Sequence, residues 1–309
     1  MKIPKNTLHA AEAKLMRAAG AACERASFRQ CRHMGMWLGL LFHHALPSRR
    51  KISVQNLRLA FPQMSVKEAD RIARRVSQNA AMTFCEFLHL RNANEDELRE
   101  YSPIEGMEHA QKGFDAGRGV LMLTAHLGNW EMLGARAALE FPVTVIARPR
   151  SNPAVHENIE AIRAHLNINV ISRFDTGRAP IRVLRANKAL AILPDQYEQG
   201  GLALPFFNHP TKMVDAIARL ALLSGAPIVP AFGIRREPWL SDGRIVAQVF
   251  PGFDLHSGEK LKGDARETEV VEGTRRAIYE LETIIRAHPD QWLWMHRRWR
   301  KADGVEFPV

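Results

Sequence analysis

The chain has 309 residues, of which 46% are hydrophobic and 25% charged. That composition excludes a disordered or low-complexity protein and leaves ample material for a large core. With 43 Lys and Arg against 33 Asp and Glu, the net charge of +10 favours an anionic partner, whether nucleic acid, membrane surface, acidic carrier protein or phosphorylated substrate, without choosing among them.

In chain order, residues 7–31 are Ala-rich with interspersed Lys and Arg and predict a helix. Cys23, Cys31 and Cys85 are irregularly spaced. They form neither a disulfide framework nor a zinc pattern, and they suit a reducing compartment. Met34–Leu46, "MGMWLGLLFHHAL", falls short of the roughly 20 apolar residues of a spanning helix. It is either a core helix or an interfacial membrane helix, for which Trp37, Phe42 and the basic Arg49–Lys51 are suitable. No small-residue cleavage site follows it, so no signal peptide is expected. In 65–91, Ser65 and Glu68 make a capping box before a helical repeat at Ile72, Val76, Asn79 or Ala80, Thr83 and Phe87.

Near residue 101 the pattern changes. "GVLMLTA" (119–125), "VTVIA" (143–147), "INVIS" (168–172), "ALAILP" (189–194) and "APIVPAFGI" (226–234) read as buried strands. Helical patterns at 130–140, 153–166, 177–187 and 212–224 separate them. "RIVAQVF" (244–250) reads as an added antiparallel strand and 265–287 as a closing helix. This alternation predicts an α/β fold, a mostly parallel central sheet flanked by helices. Without a linker or repeat, the chain is expected to comprise a helical N-terminal region (1–100), membrane-associating on the interfacial reading of Met34–Leu46, and a catalytic domain (101–309). Ligand sites in such sheets lie outside the carboxyl ends of the strands.

"TAHLGNWEML" (124–133) sits at one such end and places His126 and Glu131 five positions apart. On one continuous helix they would point roughly 140° apart. Gly128 permits a turn and Asn129 is a good N-cap, so the helix should start at Trp130, with Glu131 in its first turn and His126 on the preceding loop. Glu131 could then fix the imidazole tautomer, leaving the other ring nitrogen to deprotonate a hydroxyl. His-x4-Glu is a weak pattern in a chain with 13 histidines; its place at a strand end is what raises it to a candidate dyad.

"TAHLGNWE" resembles the His-x4-Asp/Glu motif of glycerolipid-type acyltransferases. More narrowly, the chain is similar to the bacterial lipid A biosynthesis acyltransferases of the late lauroyl/myristoyl transferase type. The resemblance runs through "LPSRRKISVQNLRLAFP" (46–62), "IARPRSNP" (146–153), "LPDQ" (193–196), "SGAPIVPAF" (224–232) and "HPDQWLWMHRRWR" (288–300). It implies a glycerolipid acyltransferase-like fold and transfer of a fatty acyl chain from acyl carrier protein to a hydroxyl of a phosphorylated glycolipid, a lipid A precursor. The setting it implies is the cytoplasmic face of the bacterial inner membrane, where the protein would be peripheral or monotopic. His126 would be the base and Glu131 its orienting partner, with no covalent enzyme intermediate, metal or cofactor. Phosphatidylinositol mannoside is an alternative acceptor.

Arg148, at the end of its strand, is a candidate for a substrate phosphate or the oxyanion; Arg150 and Arg163 are weaker ones, and Arg163 could simply cap its helix. Asp195 and Gln196 share the same sheet edge, where Asp195 could orient Arg148, shape the acceptor pocket or be satisfied by backbone N–H groups. Asn129 is grouped with these as a substrate-binding candidate. "GGLALPFFNHP" (200–210) reads as a loop that either lines an acyl channel or packs in the core; here Phe207-Asn208 departs from the phenylalanine-glycine pair expected from the resemblance. In the tail, Arg297, Arg298, Arg300 and Lys301 alternate with Trp292, Trp294 and Trp299. That pattern suits a single strand of nucleic acid, a membrane interface or a solvated helix end. The resemblance favours the membrane and leaves a nucleic-acid-binding module as a lower-ranked alternative. "GFDAGRG" (113–119) precedes its strand, which rules out a dinucleotide loop.

Overall fold

The computed structural model describes residues 5–174, 177–255 and 262–307. Helices fill the first part of the chain: α1 (Lys5–Glu24), α2 (Phe28–Ala45), α3 (Pro47–Ala60) and α4 (Val66–His89). The helix expected over 7–31 is in fact two. Ser27 accepts from the Gln30 N–H while the Gln30 side chain accepts from the Ser27 N–H. This capping box terminates the first helical run and starts a new one. The Met34–Leu46 segment belongs to α2, and the Ser65–Glu68 box starts α4 as its spacing predicts. α2 packs tightly along α4, because Gly35 and Gly39 leave no side chain between them: a Cβ on Gly39 would stand 2.3 Å from Gln78 Cα.

The rest of the described chain runs α5 (Glu95–Tyr101), β1 (Ile104–Glu105), α6 (Met107–Asp115), β2 (Val120–Leu123), α7 (Trp130–Ala138), β3 (Val143–Ala147), α8 (Pro153–His165), β4 (Ile168–Ser172), α9 (Ala179–Arg185) and β5 (Ala189–Ile192). After these come β6 (Leu202–Phe206), β7 (His209–Met213), α10 (Ala216–Ser224), β8 (Ile228–Arg235), β9 (Ile245–Val249) and α11 (Gly263–Ala287). Seven strands form one sheet in the order β1-β9-β8-β2-β5-β3-β4. Every neighbouring pair is parallel except β8–β9, so the α/β expectation holds, as does the antiparallel strand at 244–250.

The chain departs from expectation at 200–213. The stretch read as a loop, together with the start of the helix expected at 212, forms an antiparallel β6–β7 hairpin. Phe207 and Asn208 turn it, both at positive φ (49° and 63°), as a two-residue I′ turn requires. Phe206 and Phe207 are buried in the core, as the core-packing reading of this stretch expects.

Successive residues of a strand face opposite sides, and the sheet divides the core accordingly. Leu121, Leu123, Leu190 and Ile192 pack with α3, α4, α11 and the C-terminal segment. Val120, Met122, Ala189 and Ala191 pack with residues of α1, α2, α7 and the end of α4. The N-terminal helices thus share both apolar layers with the sheet. The tail is part of the first layer. Trp292, Trp294 and Trp299 are buried against Phe206 and Phe207, so they cannot stack on bases or lie in a bilayer. Arg298 is buried too and donates to Thr211 Oγ1 and the Lys212 carbonyl.

Gly39→Ala should destabilise the fold by about 1–3 kcal/mol through overpacking, although alanine is the better helix former by about 1 kcal/mol. Urea unfolding measures it; a stabilised variant would mean that α2 can move off α4 freely.

Candidate active site

β2, β3, β5 and β8 run parallel, so their carboxyl ends share one edge. β2 and β5 are adjacent, with Leu123 paired to Ile192. His126 lies three residues past Leu123, and Asp195 three residues past Ile192. The parallel register therefore carries the two side chains to the same height above the sheet.

There, His126 Nδ1 lies 2.9 Å from Asp195 Oδ1, and the His126 backbone N–H donates to Asp195 Oδ2 at 2.9 Å. The Trp292 indole N–H adds a third bond to Oδ2 at 2.8 Å. An ionised carboxylate only accepts, so Nδ1 carries the proton and Nε2 is the ring nitrogen left to act as base. The His126 side chain keeps 23% of its surface exposed while that of Asp195 keeps 1%. Trp130 packs edge-on to the imidazole at 5.0 Å between centroids, and the Gln196 amide nitrogen lies 3.4 Å from both ring nitrogens.

The loop itself is threaded between β8 and the C-terminal segment. Gly128 donates to the Gln291 carbonyl (3.0 Å), Asn129 N–H to that of Gly233 (2.8 Å), and Leu293 N–H to that of His126 (3.0 Å). Gly128 has φ of 58°, and a Cβ there would stand 1.9 Å from the Gly233 oxygen; only glycine fits this close approach. Asn129 caps α7 by accepting from Met132 N–H at 2.9 Å. The strand–turn–cap–helix reading of this stretch is thus realised.

The expected partner of His126 is not. Glu131 does lie in the first turn of α7, but its Oε1 is 2.8 Å from Arg163 Nη2; the orienting bond to His126 comes from Asp195. The reason is positional. A residue in the first turn of α7 reaches sideways toward α8, which carries Arg163, whereas Asp195 faces the ring directly across adjacent strands. Glu131 still acts on His126 through its charge. Asp195 accordingly orients His126 and not Arg148. Asn129, grouped with the substrate-binding residues, is fully buried and serves as cap. Arg163 is tied to Glu131. Arg148 is exposed at the end of β3; Arg150, also exposed, is close enough to oppose protonation of His126.

Burial by itself would depress the His126 pKa, but the Asp195 charge, its hydrogen bond and the Glu131 charge outweigh that and raise it above the ordinary value. Burial by itself would raise the Asp195 pKa; the imidazolium charge and the bonds from His126 and Trp292 instead hold it at about 2. Two features escaped the sequence reading: Asp195 as the imidazole's partner, and Trp292, whose indole N–H marks a buried acceptor. Among the described residues, no group of three or more His, Cys, Asp or Glu is placed to hold a metal ion. The arrangement suits general-base chemistry on a hydroxyl.

The chain is 24% identical over 270 residues to the lipid A biosynthesis palmitoleoyltransferase of Escherichia coli K12, covering 86% of this chain and 84% of the relative. It is 25% identical over 277 residues to the lauroyltransferase of the same organism, covering 88% and 86%. It is 25% identical over 202 residues to the phosphatidylinositol mannoside acyltransferase of Mycobacterium tuberculosis H37Rv, covering 63% and 59%. The family described as bacterial lipid A biosynthesis acyltransferase matches residues 6–301, and with nearly the whole chain inside that match, this acyltransferase belongs to it.

Proposed function

We propose that the protein transfers a fatty acyl chain from acyl carrier protein to a hydroxyl of a lipid A precursor, with His126 as general base. The observation that carries this reading is the imidazole held by buried Asp195 through Nδ1, with the other side of the ring partly open. Nε2 takes the proton of the acceptor hydroxyl as its oxygen attacks the thioester carbonyl. The tetrahedral intermediate collapses, the C–S bond breaks, and the imidazolium returns its proton to the departing sulfur. An ester and a free carrier thiol result, with no acyl-enzyme. Asp195 keeps the tautomer and stabilises the imidazolium. Arg148 and Arg150, at the rim, are cations for the acceptor's phosphate. A second acceptor class, the phosphatidylinositol mannosides, is supported by the M. tuberculosis relative.

The location we propose is the cytoplasmic face of the inner membrane, peripherally bound. No described helix is long and apolar enough to cross a membrane. α2 turns Met34, Trp37 and Leu41 outward, at a spacing that puts them on one face, and α1 does the same with Leu8 and Leu15. Arg29, Arg49 and Lys51 are exposed on the same helices or the next one. The polar bond from Asn152 Nδ2 to the His9 carbonyl (2.8 Å) joins α1 to the loop carrying Arg148 and Arg150. This bond supports a reading in which α1 meets the lipid surface near the arginines that would receive the acceptor's phosphate.

Incubation of the pure protein with acyl-carrier thioesters and a panel of glycolipids, read by mass, should give an ester on a lipid A precursor; ester on phosphatidylinositol mannosides alone would move the acceptor to the second class. His126→Ala should lose transfer to background, and Asp195→Asn should lower kcat by about a hundredfold or more. Glu131→Ala should cost less than Asp195→Asn; the reverse order would make Glu131 the orienting carboxylate. The base must be neutral, so kcat/KM rises with pH through the His126 pKa. Because that pKa is raised, the acid limb should lie above the usual value of about 6.5, and Asp195→Asn should move it to lower pH. Trp37→Ser with Leu41→Ser should weaken sedimentation with anionic vesicles by about tenfold or more, since burying each side chain is worth roughly 1.5–3 kcal/mol. Unchanged sedimentation would place the membrane contact elsewhere.

A further inference from the structure

Behind the His126 loop, on the side away from solvent, lies a fully buried ion pair. Glu86 on α4 and Arg235 at the end of β8 each have 0% side-chain exposure. They meet through two parallel bonds of 2.7 Å. Glu86 accepts two more bonds, from Tyr101 Oη at 2.7 Å and from Asn129 Nδ2 at 2.7 Å. Arg235 Nε donates to Asn79 Oδ1 at 3.0 Å and its Nη1 to the Gly243 carbonyl at 3.3 Å. Asn79 Nδ2 in turn donates to the Gly128 carbonyl (3.0 Å) and the Gln291 carbonyl (3.2 Å), and Thr83 Oγ1 adds a second donor to Gly128 at 2.8 Å.

Two charges with no access to water are a poor way to stabilise a fold, because desolvation offsets most of their attraction and apolar residues of similar volume often do as well. Their use here is directional. An amide can face a neighbour with its oxygen or with its nitrogen, but a guanidinium only donates and an ionised carboxylate only accepts. Arg235 therefore forces Asn79 to show it Oδ1, which turns the Asn79 nitrogen onto the Gly128 carbonyl. Glu86 forces Asn129 to show it Nδ2, which turns Oδ1 onto the Met132 N–H and caps α7. Each charge thus removes one of two orientations from an amide that grips the loop, and His126 precedes the gripped residues by only two and three positions.

We propose that Glu86 and Arg235 are positioning residues of the acyl-transfer reaction, acting through Asn79 and Asn129 on the loop that presents His126 and on the turn that carries Glu131. The proposal rests on the reading of His126 as the base. It gives the N-terminal helical region a share in the active site, since Asn79, Thr83 and Glu86 all lie on α4.

Three variants test it: Glu86→Gln, whose amide can donate as well as accept; Arg235→Lys, which keeps the charge and loses the fork; and Asn129→Ser, which keeps a capping oxygen and loses the link to Glu86. For each, kcat and KM are measured with dodecanoyl-acyl carrier protein and a lipid A precursor, well below the Tm of that variant. The His126 imidazole is titrated by NMR in parallel. Misplacement of the base should lower kcat by about tenfold to a hundredfold while both KM values stay within about twofold, and the imidazole titration should move toward that of a free histidine. If Glu86→Gln or Arg235→Lys fails to fold, Asn129→Ser decides. Wild-type kcat and an unmoved imidazole titration in folded Asn129→Ser would overturn the positioning role, as would variants that lose only Tm. His126→Ala, run alongside, separates the two ideas. Activity retained there overturns the base and this proposal with it, whereas its loss beside a fully active Asn129→Ser overturns the positioning role alone.

Discussion

The Asp195 carboxylate is the constraint around which the active-site edge is organised. It is charged and almost without solvent, and an ion so placed costs several kcal/mol unless it is paired and hydrogen-bonded. Three donors meet that need: the His126 ring, the His126 backbone N–H and the Trp292 indole. They come from the loop after β2 and from the C-terminal segment, while the carboxylate itself follows β5. Hydrogen bonds to a charged group contribute roughly 1.5–3 kcal/mol each, so one side chain fastens three parts of the chain that would otherwise be free to separate at the open end of the sheet. The C-terminal tryptophans follow from this. Trp292 reaches Asp195 with its indole N–H while its ring packs on Phe206. The segment containing it is held as a layer of the core, and its basic residues divide into buried Arg298 and exposed Arg297 and Arg300.

The order of strands makes the constraint possible. β5, not β3, lies next to β2, although β3 follows β2 in the chain. Had consecutive strands been neighbours, the residue facing His126 would have been on the β3 loop, where Arg148 and Arg150 stand, and a cation there would have suppressed the base. With β5 in the middle, a carboxylate faces the imidazole and the arginines are displaced by one strand spacing toward the rim.

This also explains what could be read from residues and what could not. Strand and helix periods, the Ser65 capping box and the Asn129 cap are local, and the structure realises them. The Ser27–Gln30 box is just as local and was masked by the unbroken Ala-rich run around it. The β6–β7 hairpin was hidden because its turn uses Phe207-Asn208, without a glycine to announce positive φ. The partner of His126 is a different matter: Asp195 is 69 positions away, and its role depends on which strands are adjacent, something periodicity does not encode. Glu131 was the carboxylate nearest in sequence, and nearness in sequence is a poor guide at a sheet edge assembled from separate loops. The tryptophan–arginine tail misled for a related reason. Composition shows amphipathic residues but not whether the fold already has an apolar layer to receive them.

The division of labour between the two carboxylates follows from their counter-charges. In the proposed reaction the base must be neutral when the substrate arrives and becomes cationic as the hydroxyl oxygen attacks, so a raised imidazole pKa works in both directions: it strengthens the base and reduces the neutral fraction. Asp195 and Glu131 both favour the protonated ring. Arg163 engages Glu131 at 2.8 Å, and Arg150 opposes protonation of the ring. Arg163 thus pairs with the second carboxylate and Arg150 acts on the ring itself, while Asp195, buried and aligned on Nδ1, fixes the tautomer. The Asp195 hydrogen bond fixes which way the ring faces, while its basicity is set mainly by burial working against the Asp195 charge, with smaller contributions from that bond and from the Glu131 and Arg150 charges.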